Sequence, residues 1–233
     1  MKVTRKDIAK MAGVSTATVS YVINGSNRVG EETRERVQRI IEEYNYRPDL
    51  IARAMSTRST MQIALLVNDL FNNFFAEIVT EFEKAAIQQG YCVNICTSDR
   101  SISNYIDSFV TRRMDGVFCM VSPTRIDIQK LYALRQDDIP VLISGNSTAD
   151  RSRVSLIELD YAQGMLIALE YLKGCGHRRI AYLSAFPQDF ECDNRLKMFL
   201  KYYDQIFPTD EKLLITGDYP FPSTVDAGYD LAK

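Results

Sequence analysis

Apolar and polar positions divide the chain into a short helical part and a longer part of alternating strands and helices. Within residues 4–44, apolar side chains recur every three or four positions, which predicts three short amphipathic helices. Their expected buried positions are Ile8, Met11 and Ala12, then Val19, Val22 and Ile23, then Val37, Ile40, Ile41 and Tyr44. From residue 62 onward, short apolar runs alternate with helix-like segments, a pattern typical of a parallel sheet covered on both faces.

Capping residues mark the first two helices. Thr4, followed by Asp7 three residues later, and Ser15 provide side-chain acceptors for the unpaired N–H groups at helix starts. Gly13 accommodates the left-handed conformation that commonly ends a helix. Two short capped helices with so tight a connection predict either a helix-turn-helix, whose second helix enters the major groove of DNA, or an ordinary helical hairpin.

The outward face of the second helix favours the helix-turn-helix. Thr16, Ala17, Ser20 and Tyr21 are short or carry a hydroxyl group, and the whole segment 15–24 contains no charged residue. Such a face suits close approach to base edges and phosphates better than contact with bulk water.

Two longer runs carry a resemblance to a known family. DIAKMAGVSTATVSYVING (residues 7–25) resembles the DNA-binding headpiece of the lactose-repressor family of bacterial transcription regulators, and VGEETRERVQRIIEEYNYRPDLIARAM (residues 29–55) resembles its third helix and hinge. The resemblance implies a headpiece over residues 1–48 and a hinge helix with its linker over residues 49–61. In the family, the hinges of a dimer fold on operator DNA and insert apolar side chains into the minor groove. The alternative for this segment is a flexible tether.

The resemblance also implies roles for single residues at the DNA. Tyr21 stands where the family usually has arginine, which can bind guanine through two hydrogen bonds, so we expect a changed or relaxed base preference there. The implied base-edge contacts are Thr16, Ala17 and Tyr21, the implied backbone contacts are Ser15, Thr18, Ser20, Asn24, Arg28 and Thr33, and the implied hinge contacts are Ala52, Arg53 and Met55.

The longer part of the chain is similar to the periplasmic-binding-protein architecture that forms the regulatory core of this family. Apolar runs predict strands at 63–67, 91–96, 116–121 and 139–144, with helices over 74–89, 103–113 and 125–136. These elements make a first α/β lobe, residues 62–152. A second set, from VSLIELD near Arg153 through KLLIT, makes a second lobe over residues 153–233 that is about half built. The expected fold is an all-α headpiece followed by an α/β core whose second lobe is incomplete.

A small-molecule effector, a sugar or a related metabolite, is expected between the lobes at the carboxyl ends of the strands. By resemblance, Phe74 and Phe75 lie where the family carries effector-contacting aromatic residues, although core packing is the more frequent role of such a pair. Arg195 matches an arginine that grips sugar hydroxyls in relatives. Gly145 stands where many relatives carry an aspartate, and Met198 replaces a glycine, so the cleft departs from the usual sugar site.

Other chemistry is not indicated. The chain has no G-x-S-x-G motif, P-loop or G-x-G-x-x-G motif, and we expect neither a catalytic site, nor a cofactor, nor a metal. Asp160 is expected to cap a helix, and the lone His177 to shape a turn. Five cysteines without a C-x-x-C pair, and no apolar run of membrane-spanning length, predict a reduced, cytoplasmic protein that does not contact membranes.

The charge is unevenly distributed. Residues 1–60 contain eleven Lys and Arg against seven Asp and Glu, a net charge of +4, while the remaining residues carry 17 against 23, a net −6. A basic module on an acidic body fits contact with DNA at one end only. We therefore expect a transcriptional regulator, a repressor, that binds a pseudo-palindromic operator in double-stranded DNA as a homodimer under the control of the effector.

The alternatives are a sugar-like small-molecule-binding protein without a DNA function, and a truncated regulator fragment without autonomous DNA function. A doubly wound enzyme has little support from the motifs.

Overall fold

The computed structural model describes residues 3–47, 54, 57, 59–97, 102–121, 126–145, 149–184, 186, 193–208, 212–217 and 224–233. The chain divides into two compact units, which we call the N-terminal unit, Met1–Thr60, and the C-terminal unit, Met61–Lys233. No helix in the described part is long and apolar enough to cross a membrane.

Between residues 3 and 47, the N-terminal unit contains three helices: α1 (Arg5–Ala12), α2 (Thr16–Ile23) and α3 (Glu31–Glu43). Each contributes one fully buried aliphatic side chain to a common core, namely Ile8, Val19 and Val37. Because these side chains meet at the centre of the unit, the opposite face of each helix is left for other contacts. The expectation of three helices packed around a common core is confirmed.

Two predicted core positions are wrong. Met11 is 44% exposed and Tyr44 is 45% exposed, while Ala9 and Tyr46 are buried in their place. On α1, positions i and i+1 share the buried face with i+4, so Ala9 lies inside and Met11 outside. After α3, Asn45 adopts a left-handed conformation (φ 44°) that reverses the chain and returns the next residue to the core.

The same type of turn ends all three helices. Val14 N–H donates to Ala9 O at 3.0 Å, Ser26 N–H to Tyr21 O at 2.9 Å, and Tyr46 N–H to Ile41 O at 2.9 Å. The residue before each donor is Gly13, Gly25 or Asn45, each with a positive φ. This Schellman arrangement pairs carbonyl groups that a helix end would otherwise leave free, and it turns the chain sharply between the helices.

The C-terminal unit begins with a five-stranded parallel sheet in the order β2-β1-β3-β4-β5. Its interior strand β1 has four buried residues in succession, Ala64 to Val67, as expected for a strand covered on both faces. The strands are β1 (Gln62–Val67), β2 (Cys92–Thr97), β3 (Gly116–Met120), β4 (Val141–Ser144) and β5 (Ser155–Ile157). The helices of this half are α4 (Asn73–Gln88), α5 (Ile102–Arg112) and α6 (Ile128–Ala133), which a 3-10 turn, Leu134–Asp137, extends.

The position of β5 corrects the sequence-based grouping of the strands. VSLIELD is assigned to the second set by its place in the chain, but β5 pairs with β4 and extends the first sheet. The preceding link is fixed to this half, since Val154 is buried in its core and Asp150 N–H donates to Tyr132 Oη at 2.7 Å. The grouping was wrong because the apolar pattern of a strand does not identify the sheet it joins.

The second half contains the parallel pair β6 (Ala181–Ser184) and β7 (Leu213–Thr216). Helices α7 (Tyr161–Gly174) and α8 (Asn194–Ile206) pack on each other and enclose a core that includes Leu169, Leu196, Phe199, Tyr203 and Phe207. A last helix, α9 (Val225–Leu231), follows. The two-part α/β core expected from the sequence is confirmed.

Candidate nucleic-acid interface and ligand cavity

Helix α2 is capped by its own hydroxyl groups. Ser15 Oγ accepts the Thr18 N–H at 3.1 Å and lies 2.9 Å from Thr18 Oγ1. These bonds satisfy the first turn of the helix and fix its amino end. Two of the predicted phosphate contacts, Ser15 and Thr18, therefore also hold the helix start in place.

Helix α1 begins with the reciprocal capping pair predicted from Thr4 and Asp7. Asp7 N–H donates to Thr4 Oγ1 at 3.3 Å, and Thr4 N–H donates to Asp7 Oδ2 at 2.9 Å. The Thr4 hydroxyl also donates to Asp7 Oδ2 at 2.6 Å. These hydrogen bonds, first from the hydroxyl and then from the backbone of Thr4, lower the pKa of Asp7 below its usual value.

The outward face of α2 is open along its length. Val19 and Val22 turn inward and are buried, while Thr16, Ala17 and Tyr21 are exposed. The other predicted contacts on and around the helix lie at the surface too: Ser15, Asn24 and Arg28 are exposed, and Thr18, Ser20 and Thr33 are partly exposed. Fold and burial thus leave all of these residues accessible on or next to one helix.

Arg28 lies against Tyr21. Its guanidinium carbon is 5.6 Å from the centre of the Tyr21 ring, within the range of a cation–π contact. The contact connects the loop after α2 to the exposed face of the helix. Sequence reading treated the two residues separately, because no local pattern shows a contact across seven positions and a turn.

Arg34 is a residue that sequence reading missed. Its Nη2 donates to Ser26 O at 2.9 Å and to Val29 O at 3.5 Å, and its Nε lies 3.7 Å from Glu31 Oε2. An arginine one turn into a helix can reach back to the carbonyl groups of the preceding loop, which is the signal that could have identified it. Arg34 thus fixes the loop that carries Arg28. The predicted hinge contacts Ala52, Arg53 and Met55 lie outside the described residues.

A cavity of about 430 Å³ opens in the C-terminal unit. Its walls come from the end of β4, the segment between β5 and α7, and the first turns of α8; the lining residues are Gly145, Glu158, Leu159, Asp160, Tyr161, Ala162, Asn194 and Met198. It therefore lies between the two halves of the core, beyond the carboxyl ends of β4 and β5, where open α/β sheets commonly bind ligands. Gly145 and Met198, which depart from the sugar site that the resemblance implies, are both among its lining residues.

The three predicted effector contacts lie beside this cavity or away from it. Phe74 and Phe75, at the start of α4, form an edge-to-face pair with ring centres 5.2 Å apart, and Phe74 is half exposed. Arg195 is exposed and directly follows Asn194, which does line the cavity. None of the three is among the lining residues, so their contact with an effector stays a prediction.

The carboxylates near the cavity have structural partners. Asp160 caps α7 by accepting the Gln163 N–H at 2.8 Å, as predicted, and Glu158 pairs with Arg151. Behind the wall, the buried Asp193 caps α8 through the backbone of Arg195 and Leu196. His177 lies in the turn after α7, where its N–H donates to Leu172 O at 3.1 Å.

Tyr182 and Ser184 lie on β6 near the buried Asp193. Ser184 Oγ donates to Asp193 Oδ2 at 3.0 Å. Burial, followed by the charge of Asp193, raises the pKa of Tyr182 to about 12 despite the opposing charge of Arg195. Within the described part of the chain, no three His, Cys, Asp or Glu side chains are grouped so that they could hold a metal ion.

Two family profiles match the chain. Bacterial regulatory proteins of the lacI family match residues 4–49, and the periplasmic binding proteins and sugar binding domain of the LacI family match residues 60–227. The HTH-type transcriptional repressor PurR of Vibrio parahaemolyticus is 31% identical over 226 residues, which cover 95% of this chain and 67% of the relative.

Solved structures give the same picture. The lac repressor dimer bound to operator and the anti-inducer ONPF superposes with a TM-score of 0.75 at 23% identity, over 99% of this chain and 68% of that one, which establishes the fold. The complex of the transcriptional regulator CelR with cellobiose has a TM-score of 0.57 at 28% identity, over 98% of this chain and 70% of that one. The chain spans about two thirds of the length of these relatives and belongs to the lacI family of bacterial regulatory proteins.

Proposed function

We propose that this protein is a transcriptional repressor that binds a pseudo-palindromic operator as a homodimer and responds to a small-molecule effector. The observation that carries the proposal is the outward face of α2: it is free of charge, exposed and capped, and it belongs to a unit whose residues 1–60 have a net charge of +4. A helix of this kind fits the major groove, and the surrounding cations fit the phosphates. The relative PurR is named a repressor, and the lac repressor structure is an operator-bound dimer.

On the DNA, Thr16, Ala17 and Tyr21 face base edges. Hydroxyl groups and a methyl group can approach bases closely, whereas the Tyr21 hydroxyl lacks the paired donors of an arginine. The remaining contacts go to the backbone and fix the register of the helix in the groove: Ser15, Thr18, Ser20, Asn24, Arg28 and Thr33. The hinge residues Ala52, Arg53 and Met55 insert into or flank the central minor groove. The cytoplasmic location of the protein also stays a prediction.

The effector occupies the cavity between Gly145 and Met198. Because the similar regulator CelR was solved with cellobiose, we propose a sugar as the first ligand to test. Tyr161 and Leu159 provide an apolar wall against which a sugar ring can pack. An effector that bridges the two halves of the core binds one arrangement of them more tightly than another and shifts the population toward it. By linkage, the factor by which the effector changes operator affinity equals the factor by which the operator changes effector affinity. Phe74, Phe75 and Arg195 are proposed to close on the ligand from the rim.

The test is selection of a binding site from a randomised palindromic DNA library by the full 233-residue chain, with sedimentation in parallel. We expect a dimer that selects a symmetric site, with a steep loss of affinity as salt rises because phosphate contacts release counterions. A monomer with weak binding that does not depend on sequence contradicts the proposal. Repeating the selection with Tyr21→Arg should shift the preferred base at one position in each half-site; an unchanged site contradicts the assigned role of Tyr21.

A further inference from the structure

The loop that carries Arg28 is held on both sides of that residue. On one side, Ser26 N–H donates to Tyr21 O and Ser26 O accepts from Arg34 Nη2, both at 2.9 Å. On the other side, Val29 is buried in the core of the N-terminal unit. Arg28 N–H also points back to Ser26 Oγ at 3.4 Å. The backbone of Arg28 is therefore fixed, and only its side chain has freedom.

That side chain lies over the ring of Tyr21, with 5.6 Å between guanidinium carbon and ring centre. A guanidinium group near an aromatic face is attracted by the electron-rich ring, and it keeps N–H groups free to donate along its edges. The ring thus limits the rotamers of Arg28 without using up its hydrogen-bond donors.

The Arg28 side chain is also available for a contact with DNA, in contrast to that of its neighbour Arg34. Among the residues that the structure describes, no carboxylate lies within ion-pair distance of Arg28, whereas Arg34 pairs with Glu31 and binds two carbonyl groups. The Arg34 side chain is 25% exposed, and it serves the loop. Of these two arginines, Arg28 is the one whose side chain is exposed beside the outward face of α2.

Resting on the proposed DNA-binding function, we infer that Tyr21 is a positioning residue that holds the Arg28 guanidinium ready for a backbone phosphate of the operator. The resemblance implies an arginine where this chain has Tyr21; here a guanidinium group comes from position 28, with the tyrosine ring as its support. Such a pair contributes affinity to every DNA sequence alike, because a phosphate carries no base information. Tyr21 therefore acts on affinity and on its salt dependence through Arg28, beside its limited direct role at the bases.

The test is a double-mutant cycle in the full chain, measured on the selected operator and on a scrambled duplex. Arg28→Ala should weaken binding to both duplexes by the same factor and reduce the slope of log affinity against log salt by about 0.9 for each phosphate that the arginine neutralises. Tyr21→Leu, which keeps the bulk and removes the ring, should give most of that weakening. Adding Arg28→Ala to Tyr21→Leu should then change little. Adding Arg28→Ala to Tyr21→Phe, which keeps the ring, should weaken binding by the same factor as in the wild-type background.

Two controls separate this inference from the proposed function. Tyr44→Leu removes a ring of similar exposure (45% against 37%) from the end of α3 in the same unit and should leave binding unchanged. In the absence of DNA, the Arg28 side-chain protons should show a ring-current shift in the NMR spectrum that Tyr21→Leu abolishes and Tyr21→Phe keeps. If Tyr21→Leu and Arg28→Ala act additively, or the ring-current shift is absent, the inference is wrong while DNA binding stands. If the wild type binds no DNA, the proposed function fails, and the phosphate role with it.

Discussion

The candidate DNA surface and the ligand cavity are assembled in different ways. The described residues predicted to contact DNA come from the single stretch 15–33, and two core helices support it from behind. The cavity takes its walls from residues 145, 158–162, and 194 and 198, which the chain brings together through two different sheets. The first site is a property of one local motif, and the second is a property of the whole topology.

This difference explains where each site is sensitive. A local site depends on a few capping hydrogen bonds and one small core, so the substitution of a single buried residue can unfold the whole site. A site built from distant segments tolerates changes in any one of them, but its shape responds to substitutions at the wall. Variants of each region should therefore fail in different ways.

The largest effect is expected from Ile8→Ala in α1. Ile8 is fully buried, and removing its side chain should cost about 2–5 kcal/mol, a large share of the stability of so small a unit. Hydrogen exchange over residues 4–47 should then become fast and DNA binding should be abolished, while exchange in the C-terminal unit stays as it was. Met11→Ala, on the exposed side of the same helix, is the matched control and should cost less than about 0.5 kcal/mol. Equal effects of the two variants contradict the structure of this core.

The N-terminal unit was largely predictable from sequence because its signals are local. Thr4, Gly13 and Ser15 mark helix ends through bonds to residues three or four positions away, and Val19 and Val37 follow the helical period. The two wrongly predicted buried positions in this unit have local causes. The helical period does not decide whether position i+3 or i+4 is buried, and it does not show where the chain goes after a turn. For that reason the helical period predicts Met11 and Tyr44 as buried, although both are exposed.

The C-terminal unit was predictable as a series of strands and helices but not as a site. An apolar run predicts a strand but not the strands with which it pairs. The grouping of β5 with the second sheet is therefore wrong. The resemblance pointed to Phe74, Phe75 and Arg195 as ligand contacts and to Gly145 and Met198 as departures in the cleft. Only Gly145 and Met198 are among the residues that line the cavity, which forms where the end of β4 meets α8.

A substitution on the exposed face of α2 should remove function without affecting the fold. Ala17→Glu adds a negative charge to the first turn of the helix, where the helix dipole favours it, so the free energy of unfolding should change by less than about 0.5 kcal/mol. Facing the DNA, the same charge should lower operator affinity by about ten- to a hundredfold, which corresponds to about 1–3 kcal/mol. Gln38→Glu makes the same change of charge at an exposed position of α3 and should lower affinity much less. Similar decreases in both variants would show that net charge, and not the face of α2, governs binding.

A smaller effect is expected at the cavity wall. Gly145→Asp introduces the acceptor that many relatives carry there, and a Cβ at this position meets no atom within 4 Å among the described residues. The carboxylate should raise affinity for hydroxyl-rich ligands such as cellobiose by about tenfold, as one charged hydrogen bond can. Calorimetric titration of a panel of sugars measures this.

The matched control for this change is Gly145→Ala. The alanine, like the aspartate, has to adopt φ 81°, a backbone conformation that is unfavourable for residues with a side chain. Both variants should therefore lose about 1 kcal/mol of stability. Only the aspartate adds an acceptor. If both variants bind the sugars alike, the cavity is not the effector site. The comparison between a local DNA site and a ligand site assembled from distant segments then no longer holds.

The smallest effect concerns acid stability and should be confined to the local site. Because hydrogen bonds from Thr4 lower the pKa of Asp7 in the folded state below its ordinary value of 3.8, the carboxylate favours folding at every pH above that value. This stabilisation should be lost as the pH falls through the lowered pKa, because the Asp7 carboxylate binds its proton at a lower pH in the folded state than in the unfolded chain. Hydrogen exchange at the amide groups of α1 and α2, followed from about pH 5 downward, should report this change. Asp7→Asn keeps an acceptor but no charge, and should remove that part of the pH dependence.

Asp150, in the C-terminal unit, also has a lowered pKa, because the Ser152 hydroxyl and N–H donate to it, so acid weakens both units. Only the difference between wild type and Asp7→Asn isolates the capping pair. That difference should appear in exchange of the N-terminal helices and not in exchange of β4 and β5, because the Thr4–Asp7 bonds stay within one helix turn. An acid response of Asp7→Asn equal to that of the wild type in α1 would mean that the pair does not hold the helix start. The unit that presents α2 would then depend on its buried core alone.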